Sequence, residues 1–544
     1  MSAKAQSPFV EKLVTNYAPS DSEIQEIHSF LEGPLTELAL LNNQIEAAQA
    51  ILDRLSAQRE ALTDQIDAHK ALLSPMRRLP QDILQDIFIA CLPTTHNALI
   101  HPRHAPLLLS LVCQRWRWVA HSTPILWSSF HIPSLSGSDG NELDRPMDVL
   151  ATSTSAFADM VEAWLDRSRT CPLSISFGNP SRFVTASDIL LLNQLHNASH
   201  RIHHLDLYSP SDIFEQVPWL NAETLVPEVL SISAPVSRPA EPELWVAVNV
   251  LRSPNLRRVL LQIGADGLTL PLPWSDLTDL ALSCYVRGPP HGPRGGLDYT
   301  GSLQLLRRCP NLVRCQLEIT AEAPFTASSA ITLPYLQIFI IAFSYGGLKE
   351  LAPVIQCLVL PAIRYLTIGE PIFEFTFNSP LAHSQGFTVE IPPNLFPQEE
   401  MLQFLQLFPQ ISRLRLTPPN TTRYYNFTID DRLDDDFLHA LTPAPTRDGS
   451  PICPNLTHLY ISTAAPFFTH RSIVPFICGR MASDRPLHVV NIQFPHRAMA
   501  VDVLPDLQEF IDVGLQVTVA YPNPPTPPKY NAGNGLFLEP GEAD

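Results

Sequence analysis

Apolar residues recur along this chain in three different rhythms. From about Asp21 to Leu73 they step by three and four. With Leu38 at heptad position a, the a and d positions run Leu38, Leu41, Ile45, Ala48, Leu52, Leu55, Arg59, Leu62, Ile66, His69 and Leu73. Strong helix formers fill the remaining positions, and no Gly or Pro falls between Leu35 and Ser74, so the spacing predicts one long helix with an apolar seam. Such a seam implies a coiled coil, formed with a second copy or by folding back onto the chain's own body; an amphipathic helix packed on the following domain has the same pattern. Ala48, Arg59 and His69 weaken the seam.

The second rhythm is short. In LPQDILQDIFIACLP (79–93), Pro80 falls in a first helical turn, where its missing N–H costs nothing. Ile83, Leu84, Ile87, Phe88 and Cys91 then form one stripe, Asp82 complements the helix dipole, and Pro93 stops the helix. A second stripe follows, with Leu107, Leu108, Leu111, Val112, Arg115, Trp116 and Val119 at helical spacing; Pro124 ends it, and Ile125, Leu126 and Trp127 make a further apolar plug. Two or three short helices give a thin core, and a module this small needs a partner or neighbouring domain to cover the apolar face left over.

Beyond about residue 155 a phrase recurs: Pro, any residue, an apolar residue, then apolar residues three and five later. It begins at Pro254 (Leu256, Val259, Leu261), Pro310 (Leu312, Cys315, Leu317), Pro334 (Leu336, Phe339, Ile341), Pro361 (Ile363, Leu366, Ile368), Pro409 (Ile411, Leu414, Leu416) and Pro454 (Leu456, Leu459, Ile461). The same cadence without Pro occurs at Ile202, Leu205, Leu207 and at Leu277, Leu280, Leu282. The last two apolar residues of each copy share one face of a short strand, and the first sits at the turn into it. Helical stretches such as GSLQLLRRC and EEMLQFLQLF precede several copies. Strand and helix alternate, so the units stack into an irregular solenoid that resembles a degenerate leucine-rich repeat, with an extended concave surface suited to recognition.

Composition narrows what such a chain binds. Its 544 residues carry a formal charge of −18, which opposes attraction to nucleic acid and to acidic lipid. Neither is expected as a partner. The N-terminal stretch lacks a signal-peptide core and no segment is apolar enough for a membrane helix, so an intracellular protein, cytoplasmic and/or nuclear, is expected. Pro at 53 residues predicts many chain reversals. Nine scattered cysteines without CxxC pairs read as buried thiols rather than as disulfides or a zinc module.

The helical segment carries a resemblance. Leu79-Pro80, Ile83-Leu84, Ile87-Phe88, Leu92-Pro93, Leu108-Leu109, Val112-Cys113, Trp116-Arg117 and Leu126-Trp127, taken in order over roughly residues 75–130, resemble the F-box motif. With the preceding coiled-coil-like helix and the later WLDRSRTCPLSIS, the chain looks like the large F-box families of mushroom-forming (basidiomycete) fungi. The resemblance implies a three-helix module docking on the Skp adaptor of Skp-cullin-F-box ubiquitin ligases, and through it on a cullin, while the remainder holds a protein client for ubiquitination. By that analogy Leu79, Pro80, Ile83, Leu84, Ile87, Leu109, Val112, Cys113 and Trp116 build or support the adaptor-facing surface. One departure stands out: TTHNALIHPRHA, between the two helices, is longer and more polar than the turn of a compact F-box.

Catalytic chemistry finds little support. No GxxxxGK[ST], GxSxG, HExxH or GxGxxG occurs, so no catalytic residue, metal or cofactor is expected; His96, His101 and His104 read as polar loop residues. Candidate binding loops are 285–299 and 418–436, and IDDRLDDD reads as a solvated acidic face. The expected fold class is α+β and multidomain: a tail over 1–20, a coiled-coil-like helix over 21–73, a small all-α F-box over 75–132, an irregular α/β leucine-rich-repeat-like solenoid over 155–520 and a second tail over 521–544. The function expected is that of a non-catalytic substrate receptor. A non-ligase scaffold built from coiled coil and repeats is the alternative, and an enzyme with an unfamiliar pocket in the repeats is a third reading.

Overall fold

A computed structural model describes residues 8–13, 15–134, 154–181, 183–234, 242–288, 292–321, 325, 329–343, 348–369, 386–393, 396–417, 433–443, 452–462, 470–494, 502–520, 530–531 and 536–537. The chain divides into two units, Met1–Leu84 and Gln85–Asp544.

The first unit is dominated by one helix, α1 (Asp21–Leu72). Its start is fixed by Glu23, whose carboxylate accepts hydrogen bonds from the Ser20 backbone N–H (2.8 Å) and the Ser20 hydroxyl (2.9 Å), satisfying donors that a helix start leaves open. The Lys12 ammonium lies 2.7 Å from the same carboxylate and Tyr17 donates to it at 3.0 Å. The Lys12 hydrogen bond, then the Ser20 backbone, hold Glu23 down at about 2, well below the usual carboxylate range. Part of the expected tail, 8–13 and 15–20, thus makes a local cap; residues 1–7 and 14 lie outside the described residues. The helix runs through Pro34, N-terminal to the seam.

The second unit is built on a 15-stranded sheet. Its strands are β1 (Ser129–Pro133), β2 (Leu173–Gly178), β3 (Ile202–Tyr208), β4 (Val229–Ser233), β5 (Arg258–Ile263), β6 (Asp279–Gly288), β7 (Gly292–Gly296), β8 (Arg314–Ile319), β10 (Ile338–Phe343), β12 (Tyr365–Gly369), β13 (Phe387–Glu390), β14 (Ile411–Leu416), β15 (His458–Ser462), β16 (Val489–Gln493) and β17 (Gln516–Ala520); two further short strands, β9 (Ile331–Thr332) and β11 (Leu358–Val359), pair with each other. Except for β7, which pairs antiparallel with β6, the strands of the large sheet follow one another in chain order and every neighbour is parallel, a solenoid-like arrangement.

The recurring phrase falls in register. Phe130, Ile175, Leu205, Leu230, Val259, Leu280, Cys315, Phe339, Leu366, Val389, Leu414, Leu459 and Val490 are successive cross-strand partners. All are buried. A second ladder two residues on, including Leu207, Leu261, Leu317, Ile368 and Ile461, is buried likewise. Against this apolar face the connecting helices supply their own buried residues: Leu303 and Leu306 from α9 (Tyr299–Arg308), Phe404 and Leu405 from α11 (Gln398–Leu405), Phe437 and Leu438 from α12 (Asp435–Leu441). Both helical stretches anticipated from the sequence, at 301–309 and 399–408, are these helices α9 and α11.

Three of the Pro-started turns carry a further device. Asn255, Asn311 and Asn455, each following the Pro of its phrase, donate their side-chain amides to carbonyls of the preceding unit: to Val226 (3.5 Å), Ser275 (2.8 Å) and Pro409 (3.1 Å). Pro-Asn-Leu is therefore a staple between neighbours, and the position taken as any residue has a role in these copies. Seven strands of the large sheet escaped the phrase, β1, β2, β4, β7, β13, β16 and β17. At β16 the reason is visible: Pro486 is followed directly by buried Leu487, with Val490 and Ile492 three and five beyond it, so only the spacer is missing.

Candidate interaction surfaces

The helical segment that precedes the sheet comprises α2 (Gln81–Ala90), α3 (Leu107–Val112), α4 (Gln114–His121) and a 3-10 turn, Pro124–Trp127. The expected single stripe from Leu107 to Val119 is not one helical face. Cys113 adopts an extended backbone (φ −160°, ψ 171°) that ends α3 and caps α4, its Sγ accepting from the Trp116 N–H at 3.5 Å. Arg117 reaches back to the Ser110 carbonyl (2.9 Å), satisfying a backbone acceptor that the short helix leaves open. The break rotates the two halves, so α3 buries Leu109 and Ser110 while α4 buries Val119 and Ala120.

The consequence is a helix whose one polar side chain, Ser110, is buried while several of its apolar ones are not. Leu108, Leu111 and Val112, at i, i+3 and i+4 on α3, remain 46%, 58% and 56% exposed. Trp118 on α4 and Ile125 on the following turn are also exposed. Of the residues expected at an adaptor surface, Pro80, Ile83, Val112 and Cys113 are exposed, Leu79, Ile87 and Trp116 are half-buried, and Leu84 and Leu109 are fully in the core. Trp116 stacks against Phe88 with ring centroids 4.9 Å apart. Leu84 and Leu109 can support such a surface but present nothing on it, while the set implied by the resemblance leaves out Leu108 and Leu111, which the apolar stripe did include, and Trp118, which neither named.

The long polar loop between α2 and α3 is structural. Ala98 and Ile100 are buried, Leu99 forms a parallel bridge with His131, and the His131 N–H donates to the Ala98 carbonyl at 2.9 Å. Asn97 Oδ1 accepts from the hydroxyls of Ser129 and Ser174, each at 2.8 Å. The loop therefore covers the otherwise unpaired edge of β1, as sheet edges require. Aromatic packing joins the same segment to the sheet unit: Trp127 meets Trp164 of α5 (Thr154–Ser168) at 5.1 Å, Phe130 meets Trp164 at 5.5 Å, and Trp127 Nε1 donates to the Ala120 carbonyl at 2.8 Å. The segment assigned to 75–132 thus contributes β1 itself to the array.

The second surface is the polar face of the sheet. Its middle is covered: Gln316, Ile338, Ile340, Tyr365, Thr367 and Thr388 are all buried. Tyr365 and Thr417 both donate to the Glu390 carboxylate, and Arg415 Nε lies 3.8 Å from it. Burial, then the nearby Glu390 charge, push the Tyr365 phenol well up, so it stays a donor. Farther along, β14 presents Arg413 and Arg415 beside His458 and Tyr460 of β15, with Arg415 5.3 Å from the Tyr460 ring. Partial burial and then the Arg413 charge lower His458 to about 4.

Other expected features are placed as follows. The loop 285–299 is the β6–β7 hairpin, apart from 289–291, which lie outside the described residues, as do 418–432 of the other candidate loop. In the acidic run, Asp434 caps α12 by accepting from the Asp436 N–H at 3.0 Å. Among the cysteines, 284, 309, 315 and 453 are buried, and burial pushes Cys309 and Cys453 up to about 12; Cys91 and Cys113 are exposed, contrary to a uniform reading of buried thiols. Among the described residues no group of His, Cys, Asp and Glu could hold a metal ion, and no helix is long and apolar enough to cross a membrane. The tail motif NPPTPP lies outside the described residues.

Comparison of the sequence with protein-family models finds no match, and comparison with curated proteins finds none either.

Proposed function

We propose that this protein is a non-catalytic receptor: its short helices dock as an F-box on a Skp-type adaptor of a cullin ubiquitin ligase, and its degenerate leucine-rich-repeat array holds a protein client. The observation that carries the reading is α3, whose apolar residues Leu108, Leu111 and Val112 stay open to solvent on a helix with no polar alternative face. A small helical module leaves such a face uncovered when a partner completes it. The strand β1, which this segment contributes to the sheet, supports the second half, because it joins the segment directly to the repeat array. The polar face, with Arg413, Arg415, His458 and Tyr460, supplies the side-chain chemistry for recognition without a reacting group.

The test is a pull-down of the full-length protein with the Skp adaptor of its own organism, comparing wild type with Leu111→Asp. Leu111 is exposed, so the variant folds; a carboxylate there loses its water in the complex without gaining a partner, and binding should weaken by about 30-fold or more. Binding unchanged in the variant would remove α3 from the interface, and a wild type that does not bind would leave the scaffold reading. That second reading is favoured by one observation, the open seam of α1.

A further inference from the structure

Among the described residues, the seam of α1 stands exposed. Leu38, Leu41, Ile45, Leu52, Leu55, Leu62 and Ile66 are between 44% and 65% exposed in the single chain. At its centre Ala48, Leu52, Leu55 and Arg59, with Ile51 and Ser56 beside them, line one shallow, open stretch of the helix surface. We infer that α1 pairs with α1 of a second copy of this chain as an antiparallel coiled coil, with its two-fold axis between Asp53 and Arg54.

The argument is one of self-complementarity. Reversing one of two paired helices sets each a position against a d position of the other. With the axis at 53/54, Leu52 of each copy meets Leu55 of the other, so two Leu–Leu layers flank the centre. Ala48 then faces Arg59, and beyond it Ile45 faces Leu62 and Leu41 faces Ile66. The smallest seam residue is thereby opposite the longest: the space that Ala48 leaves takes the aliphatic stem of Arg59, whose guanidinium reaches solvent past the seam edge. His69 falls in the outermost layer, opposite Leu38 and within a turn of the C-terminal end of its own helix.

A parallel pair does the opposite. It stacks Ala48 on Ala48, leaving a hole, and Arg59 on Arg59, setting two cations in one layer. Antiparallel pairing separates the two Arg59 layers by roughly 16 Å at 1.5 Å per residue, more than a Debye length at physiological salt.

Charge elsewhere on the helix does not oppose association. The eight positions flanking the seam from Asn42 to Gln65 are uncharged, being Asn, Gln, Ser, Thr and one Ile, while Glu46, Asp53, Glu60 and Asp67 form a column on the outer face. Counting seam and flanking positions gives about 20 residues a side, the extent of a stable interface of roughly 1,600 Å².

Sedimentation equilibrium of the full-length protein should report twice the 60.5 kDa chain mass. Leu55→Asp should return it to monomer without altering thermal unfolding of the sheet unit. Orientation is read by Ala48→Glu: antiparallel pairing sets the new carboxylate against Arg59 and tightens the dimer several-fold, whereas parallel pairing sets it against its own copy and loosens the dimer. A photo-crosslinking residue at position 48 should likewise attach to the peptide containing position 59. A wild type that stays monomeric at about 100 μM, or a dimer whose position 48 crosslinks to position 48, overturns the inference.

Discussion

The long helix and the parallel sheet are equally regular in their apolar spacing and opposite in what becomes of it. On α1 the seam leucines stand half exposed, while on the sheet Leu205, Leu280, Leu366 and Leu414 are 0% exposed. A strand ladder is covered by its own chain, because connecting helices such as α9, α11 and α12 return over the face. A lone helix has no such return. Periodicity therefore fixes which side chains share a face, and says nothing of whether that face is already filled.

The largest effect that would sharpen this contrast is at a ladder position. Leu414→Ala, flanked across the strands by Val389 and Leu459, should cost about 2–5 kcal/mol of stability, read as a shift of the denaturation midpoint. A loss below about 1 kcal/mol would mean the apolar face is less tightly filled than its burial implies.

An intermediate effect is expected on the polar face of the same sheet. Burial and Arg413 disfavour the His458 imidazolium, so the folded state holds that proton less readily than the unfolded chain, whose value is the ordinary 6.5. The His458 contribution to stability is thus complete above about pH 6.5 and is lost as pH falls toward 4. Titration followed by NMR should find His458 near 4 in the wild type and higher in Arg413→Gln; a value unchanged by that substitution would leave burial and the neighbouring His488 as its causes.

The smallest effect belongs to the helix. Leu62→Ala, at 58% exposure on α1, should leave the thermal unfolding of the sheet unit unmoved at concentrations where the chain is monomeric. The same chemical change would then cost several kcal/mol in one region and nothing measurable in the other.

Much of the architecture could be read from residue order. The heptads placed α1 to within a residue at its C-terminal end, and the recurring cadence, six copies with Pro and two without, located eight of the strands in the sheet, with their inward residues. The Asn staple was present in the sequence as three Pro-Asn-Leu turns, but its role needs the neighbouring carbonyl to be in view. The stripe from Leu107 to Val119 misled because helical spacing carries through a one-residue break: Cys113 is extended, and nothing in the apolar pattern marks it. For the same reason Leu84 and Leu109 could not be separated from Ile83 and Leu111, since an amphipathic count treats every apolar residue as inward-facing. The polar loop 94–105 gave no sign of pairing with β1, a partner some thirty residues away in sequence.

Sequence alone determined most local choices: where the backbone is helical, where strands start after a proline, and which side chains share a face wherever no break interrupts the element. These follow from periodicity and side-chain size, which are properties of neighbouring residues. Tertiary structure decided which apolar faces are spent on the fold and which are left for others. That depends on what is brought over each face: connecting helices over the ladders and a loop over the edge of β1, whereas Leu111 and Leu52 stand exposed among the described residues.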